Sequence, residues 1–177
     1  MSSIFRRLVE MGETPERVVV GMISGTSADS IAVAVCRMKG GGIPSPGRPG
    51  GEVELLHYYE HPHDPAVRQQ VLGAGELKTR AIAELDVRVG EVFAEACLAA
   101  ISAAGLSTGD VDLVGSHGQT VYHHSSIPGA PRATLQLGDG DQIAERTGLT
   151  VVSDFRTRDI AAGGEGAPLT AFSDLIL

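Results

Sequence analysis

Apolar residues bunch, alternate or recur every third and fourth position along this chain, and those periods predict its elements. Arg17 to Ile23 and Ser30 to Met38 are rich in β-branched and apolar residues and read as strands joined at the corner "SGTSADS". "EVELLHYYEHP", ending at Pro62, reads as a third strand. Asp64 suits the cap of a helix with Pro65 in its first turn, running to about Leu72. Ile82, Leu85, Val89, Val92, Ala96, Ala99 and Ala103 then recur at helical spacing, with Glu84, Arg88, Glu91 and Glu95 off the stripe. Gly105 is placed to end this helix, and its alanines predict close packing on a sheet.

Further on, "DVDLVGSHGQTVY" starts as a buried strand and becomes a Gly/His-rich loop. "ATLQLGDGDQIAERTG" reads as a strand, a turn and a helix closed by Gly148, and "LTVVSDF" as one more strand. Residues 1 to 16 read as a short helix or loose tail, and "KGGGIPSPGRPGGE" as a long hairpin loop. Three hairpin-joined strands followed by alternating helices and strands predict an α/β domain, a mixed sheet covered by helices. The final "TAFSDLIL" is apolar with a helical pattern; a chain stopping there raises the expectation of more protein beyond, and an unpaired apolar helix would favour association, a homodimer among the possibilities.

Composition narrows the function classes. The 177 residues suit one domain or one lobe of a two-lobed enzyme. Lys and Arg number 14 against 22 Asp and Glu, a net charge of -8, which argues against nucleic acid as a partner. No run approaches the roughly 20 apolar residues that span a bilayer. Arg6 and Arg7 lack the uninterrupted apolar segment of an export signal, and Cys36 and Cys97 lie far apart in apolar segments, so a reduced, cytoplasmic setting is expected. Neither Lys39 nor Lys78 sits in a Gly-Lys-Ser/Thr context, which excludes a Walker A loop.

Three stretches carry candidate chemistry. The corner Ser24 to Ser30 offers backbone N–H groups, hydroxyls and the carboxylate of Asp29; it is either a polar turn or a phosphate cradle in which Asp29 holds hydrated Mg2+. "GSHGQT", Gly115 to Thr120, follows a strand end, where His117 either meets a ligand or bonds to backbone. "SDFRTRDIAAGGEGAPL" sets Arg156, Arg158 and Asp159 before a glycine-rich turn, as an anion-holding segment or an ion-paired surface loop. His57, His61 and His63 have an awkward spacing for zinc.

Together these stretches resemble the 1,6-anhydro-N-acetylmuramic acid kinases, which carry segments of the form "GxMSGTSxDGxD", "GSHGQT", "LQIGDxxxIAExTG" and "DFRxRDxAAGGQGAPL". Here they read "GMISGTSADSIA", "GSHGQT", "LQLGDGDQIAERTG" and "DFRTRDIAAGGEGAPL", in the same order. The resemblance implies the first lobe of the actin, hexokinase and sugar-kinase fold over residues 17 to 177, a ribonuclease-H-like sheet. It implies ATP and Mg2+ as cofactors and an anhydro-sugar substrate, opened by water and phosphorylated in one reaction during cell-wall recycling. Ser24, Gly25, Thr26, Ser27 and Asp29 would meet the nucleotide phosphates, with Asp29 reaching Mg2+ through water. His117, Gln119, Thr120, Arg158, Gly164 and Gly166 would face the sugar. The family's water-activating Asp lies in a later "GFDxGPGN" stretch, so the catalytic base and the second lobe are expected beyond Leu177, and the chain alone is expected to be inactive. Ser30 and Ala32 stand where the family has Gly and Asp, and Glu165 where it has Gln. A non-catalytic sugar-binding homologue is the alternative.

Overall fold

In the computed structural model, which describes residues 4–40, 51–125 and 127–170, the chain opens with helix α1 (Ile4–Glu13). Arg17 ties it down, its guanidinium donating to the carbonyl of Gly12 at 3.2 Å. Strands β1 (Glu16–Ser24), β2 (Ser30–Lys39) and β3 (Glu52–Pro62) follow as antiparallel neighbours. Within β1 and β2, Val20, Met22 and Ser24, and Ile31, Val33 and Val35, point inward while their neighbours point out, the period-two alternation that fixes register.

Helix α2 (Pro65–Leu72) is capped by Asp64, whose carboxylate accepts from the N–H groups of Ala66 and Val67. Helix α3 (Thr79–Ala103) then lies across the sheet. Its buried residues include Leu85, Val89, Phe93, Ala96, Cys97 and Ala100, packed with Val20, Val33, Val35 and Val114 in one core. Ala96 and Ala100 are the small residues on the contact stripe, whereas Ala103, which the sequence spacing also puts there, is exposed. Gly105 follows the helix with φ of 74°.

Strand β4 (Leu113–His124) runs parallel to β1, from Val19 opposite Leu113 to Ser24 opposite Gln119. Its far edge is shared. The two-residue strand β6 (Val151–Val152) pairs parallel with Val114 and Gly115, and β5 (Ala133–Leu137) pairs antiparallel with Gln119 to His124. Between β5 and β6 come helix α4 (Gly140–Thr147) and its left-handed cap Gly148. The order β3-β2-β1-β4, with β6 extending it in parallel, is the ribonuclease-H-like arrangement expected from the sequence.

Three expectations need correction. "GSHGQT" is not a loop: β4 continues through it to His124, carrying His123 and His124 as well, because β1 and β5 both supply pairing partners. The register slips between Met22 and Ser24 opposite this stretch, and Gly118 takes φ of 73° there. A Cβ at Gly118 would stand 2.5 Å from the Leu137 carbonyl oxygen, so only glycine fits the bulge. "LTVVSDF" forms strand only at Val151 and Val152, since Asp154 turns left-handed (φ 61°) ahead of helix α5 (Phe155–Ala161). The arginine-bearing segment is therefore helical rather than a loop. Residues 41–50 and 171–177, which include most of the glycine-proline loop and the apolar final stretch, lie outside the described residues.

The opposite sheet face carries an open, mainly apolar groove lined by Ile23, Ala32, Ala34, Tyr58 and Phe155. On the packed side, Gly90 of α3 meets α4: a Cβ there would lie 2.8 Å from the Asp139 carbonyl oxygen and 3.0 Å from the Gln142 Cβ. Alanine is the better helix former by about 1 kcal/mol. Gly90→Ala should nonetheless destabilise the fold by about 1–3 kcal/mol through overpacking, read as a lower urea midpoint.

Candidate functional site

The corner between β1 and β2 is a tight turn closed by the Ala28 N–H donating to the Gly25 carbonyl at 3.0 Å. Ala28 is fully buried and left-handed, with φ of 50°, a conformation that costs an alanine energy and persists only where its surroundings impose it. Those surroundings are a buried polar set. The Ser24 hydroxyl donates to the Ser30 carbonyl at 3.0 Å and lies 2.9 Å from His63 Nε2. With its one proton spent on Ser30, Ser24 can only accept from the imidazole, so His63 carries its proton on Nε2 and leaves Nδ1 bare. From β4, Gln119 donates both amide protons, to the carbonyls of Gly25 (2.9 Å) and Thr120 (3.1 Å).

The outer side of the corner is open. Among the described residues nothing accepts a hydrogen bond from the N–H groups of Thr26 and Ser27. Asp29 is exposed and its pKa is lowered, first by a hydrogen bond from Ser27 and then by Arg68. Arg68, on α2, reaches Asp29 Oδ1 at 2.8 Å and the Ser27 carbonyl at 3.2 Å, holding the corner's shape from outside. Among the described residues no three His, Cys, Asp or Glu side chains gather as a metal centre, the histidines of β3 included. A single ionised carboxylate beside free N–H donors suits a Mg2+ that arrives already bound to phosphate oxygens.

Two residues before Gln119 on the same strand, His117 anchors a second set. Arg156 donates from Nε to His117 Nε2 at 2.8 Å, so that nitrogen must be the acceptor and Nδ1–H must donate to the Gly118 carbonyl at 3.1 Å. Burial, reinforced by the Arg156 charge, lowers the His117 pKa against the pull of that carbonyl, which leaves a neutral imidazole. Arg156 also holds the Gly166 carbonyl through Nη1. Asp159 accepts from the Gly166 N–H at 2.8 Å, and Arg132 donates to the carbonyls of Gly163 and Gly164. A Cβ at Gly164 would collide with the Asp159 carboxylate, so the glycine is what lets the turn wrap around it.

Six of the predicted residues fall into two hydrogen-bonded units, while Thr26, Ser27 and Asp29 line the open side of the corner and Gly164 is held by Arg132. Ser24, Gly25, Gln119 and Thr120 form one, extended by Gln136 donating to Thr120 Oγ1, while His117 and Gly166 form the other, bridged by Arg156. Arg158 is exposed on α5 and makes no side-chain hydrogen bond or ion pair with the described residues. Sequence reasoning missed Arg68 altogether and weighed His63 only as a zinc ligand. Neither lies in a motif, and only the packing of α2 and the end of β3 against the corner brings them in. Beside His117 opens a polar hollow of about 130 Å3 lined by Asp86, Ser116, Gln136, Asp139 and Asp154 among others; burial raises the Asp86 pKa.

The model of the family described as anhydro-N-acetylmuramic acid kinase matches residues 17–177. The chain belongs to that family. An anhydro-N-acetylmuramic acid kinase of Caldanaerobacter subterraneus subsp. tengcongensis is 42% identical over 97% of this chain and 43% of its own length. One from Bacillus cereus is 40% identical over 90% of the chain and 41% of its own length. The chain therefore spans less than half the length of these curated relatives. Among solved structures, Thermus thermophilus RuvC overlaps with a TM-score of 0.33 at 14% identity, covering 90% of this chain and 76% of that one, too loosely to add to the strand order.

Burial is the largest cause lowering the pKa of both His63 and His117; around His63 the charges of His61 and Arg68 add to it and the Gln119 side chain partly offsets it. The unfolded chain, with imidazoles near pKa ~6.5, binds more protons than the folded one below that value. Folding stability should therefore hold above pH ~6.5 and decline as pH falls through and below it. Urea midpoints measured from mildly alkaline to mildly acidic pH check this, and a His63→Gln, His117→Gln double variant should flatten the decline.

Proposed function

We propose that this chain supplies the nucleotide-phosphate corner and part of the sugar site of an ATP-dependent kinase acting on 1,6-anhydro-N-acetylmuramic acid. The observation that carries the reading is the corner itself: open Thr26 and Ser27 N–H groups beside an ionised, exposed Asp29, in a chain of this family. Phosphoryl transfer asks a protein chiefly for positioning and for neutralisation of charge on phosphate oxygens. The two N–H groups are donors fixed in direction before any ligand binds, and Asp29 is the group that would hold a hydrated Mg2+, which neutralises phosphate charge when bound.

In the reaction water adds across the anhydro bond, one oxygen of the opened sugar takes the terminal phosphoryl group of ATP, and ADP and N-acetylmuramic acid 6-phosphate result. His117, neutral and locked with Nδ1–H toward Gly118, serves as a shaped wall of the sugar site rather than as a base, because its Nε2 lone pair is engaged by Arg156. In this reading the water-activating carboxylate is one this chain does not supply; the chain spans 43% of the Caldanaerobacter relative's length. A reaction that consumes ATP and a recycled cell-wall sugar would fit a cytoplasmic setting.

The second reading, a sugar-binding lobe without turnover, draws on Arg68, which already occupies the corner's lone carboxylate. Both are tested by joining this lobe to the remaining length of the Caldanaerobacter kinase and following the sugar by mass spectrometry. Turnover should yield a product heavier by one water and one HPO3 unit, and Asp29→Asn should lower kcat by about 100-fold. Binding of sugar and ATP without that product would favour the second reading.

A further inference from the structure

Helix α2 meets the outer side of the corner through one long side chain. Its start is fixed there by the Asp64 cap and by His63, 2.9 Å from the Ser24 hydroxyl, so that Arg68, one turn into the helix, lands on the corner. A single nitrogen makes two contacts. Arg68 Nη2 donates to the Ser27 carbonyl at 3.2 Å and to Asp29 Oδ1 at 2.8 Å, the residues on either side of the left-handed Ala28. Of the ion pairs between described residues, this alone engages a residue that the sequence marks for ligand contact; the rest tie charges on strand and helix surfaces.

The pair is easily exchanged. Its side chains are 41% and 68% exposed, Arg68 and Asp29 in turn, and ion pairs so open to water contribute little to stability. A divalent cation would meet it as a rival. Hydrated Mg2+ presents water O–H groups to a carboxylate, so it asks for the same lone pairs that Arg68 Nη2 and the Ser27 side chain already use. Two positive charges beside one carboxylate also repel each other.

We propose that Arg68 is a placeholder at the corner: its guanidinium and a hydrated divalent cation compete for Asp29, so that cation entry is an exchange that frees Arg68 rather than an addition beside it. The inference rests on the kinase reading for the cation's place at Asp29 and adds what must leave for it to arrive. It also gives a second sense to the pairing that favours a lobe without turnover, since a cation of sufficient charge undoes it. A monovalent ion brings no more charge than the guanidinium it would replace, so the exchange selects doubly charged ions. Arg68 acts here through Asp29, as a positioning residue.

The test is NMR on the isotope-labelled 177-residue chain, following the Asp29 carboxylate and the Arg68 guanidinium as MgCl2 is added at constant ionic strength. Both signals should move with one midpoint, and KCl should move neither. Arg68→Gln should lower the Mg2+ midpoint at Asp29 by about fivefold, while Arg68→Lys, which keeps the charge, should stay nearer the original value. A side chain that only braced the corner would give an unchanged or higher midpoint when removed. That result overturns the proposal, as does Asp29 moving while Arg68 stays in place, or Asp29 not responding to Mg2+; the comparison of the two signals needs no variant to fold. Mg-ATP added to the same sample reports on the kinase reading through the Thr26 and Ser27 amides. A response there without exchange rejects the placeholder alone, and exchange without a response there upholds the placeholder while counting against the kinase reading.

Discussion

One buried amide holds the two halves of the site in register. Gln119, fully enclosed, spends both of its protons on carbonyls, one in the β1 corner and one on its own strand. Parallel strands have no hairpin to set their alignment, so a side chain crossing from β4 to the end of β1 does locally what a turn would do elsewhere. Remove that crossing and the Gly25 carbonyl loses a buried partner just where the chain reverses. Ser24, Ala28 and His63 depend on the same position of the corner, and the bulge at Gly118 is the accommodation that lets Gln119 point inward after a strand's worth of regular pairing.

The chemistry is divided along β4, on either side of the Gly118 bulge. On one side of the bulge the corner is built of neutral, tautomer-locked groups that position backbone donors. A little earlier on the strand, His117 is locked in the opposite tautomer by Arg156, which in turn clasps the Gly166 turn. Neither imidazole is free to take a proton without breaking a bond it already makes or overcoming its burial. Both are shaping elements, and the groups left exposed at the corner are backbone N–H groups and the Asp29 carboxylate, which Arg68 pairs.

Much of the fold could be read from the chain because its local signals agreed with its tertiary ones. The alternation in β1 and β2 and the Asp64 cap match elements found in the fold, and the spacing along α3 holds through Leu85, Val89 and Ala96, after which the buried face moves to Cys97, Ala100 and Ile101 and leaves the predicted Ala103 exposed. "GSHGQT" was misjudged for the opposite reason. Glycine-rich composition lowers strand propensity, and only pairing on both edges, which is non-local, keeps it extended. The same limit explains the site. Motif spacing pointed to Ser24, Asp29, His117 and Gln119, while Arg68 and the partnership of Arg156 with His117 arise from contacts across 39 residues of chain, with no periodicity to announce them.

The strained Ala28 has an implication for how the corner meets a ligand. A flexible Gly/Ser/Thr turn would have to be ordered at the moment of binding, and that ordering would subtract from affinity. Here the left-handed residue is buried and its neighbours are already hydrogen-bonded, so the entropy loss has been incurred during folding. The corner therefore holds its donors in a preorganised state, and under the proposed function selectivity at this position would be a matter of fit to a fixed shape rather than of adaptation to the ligand.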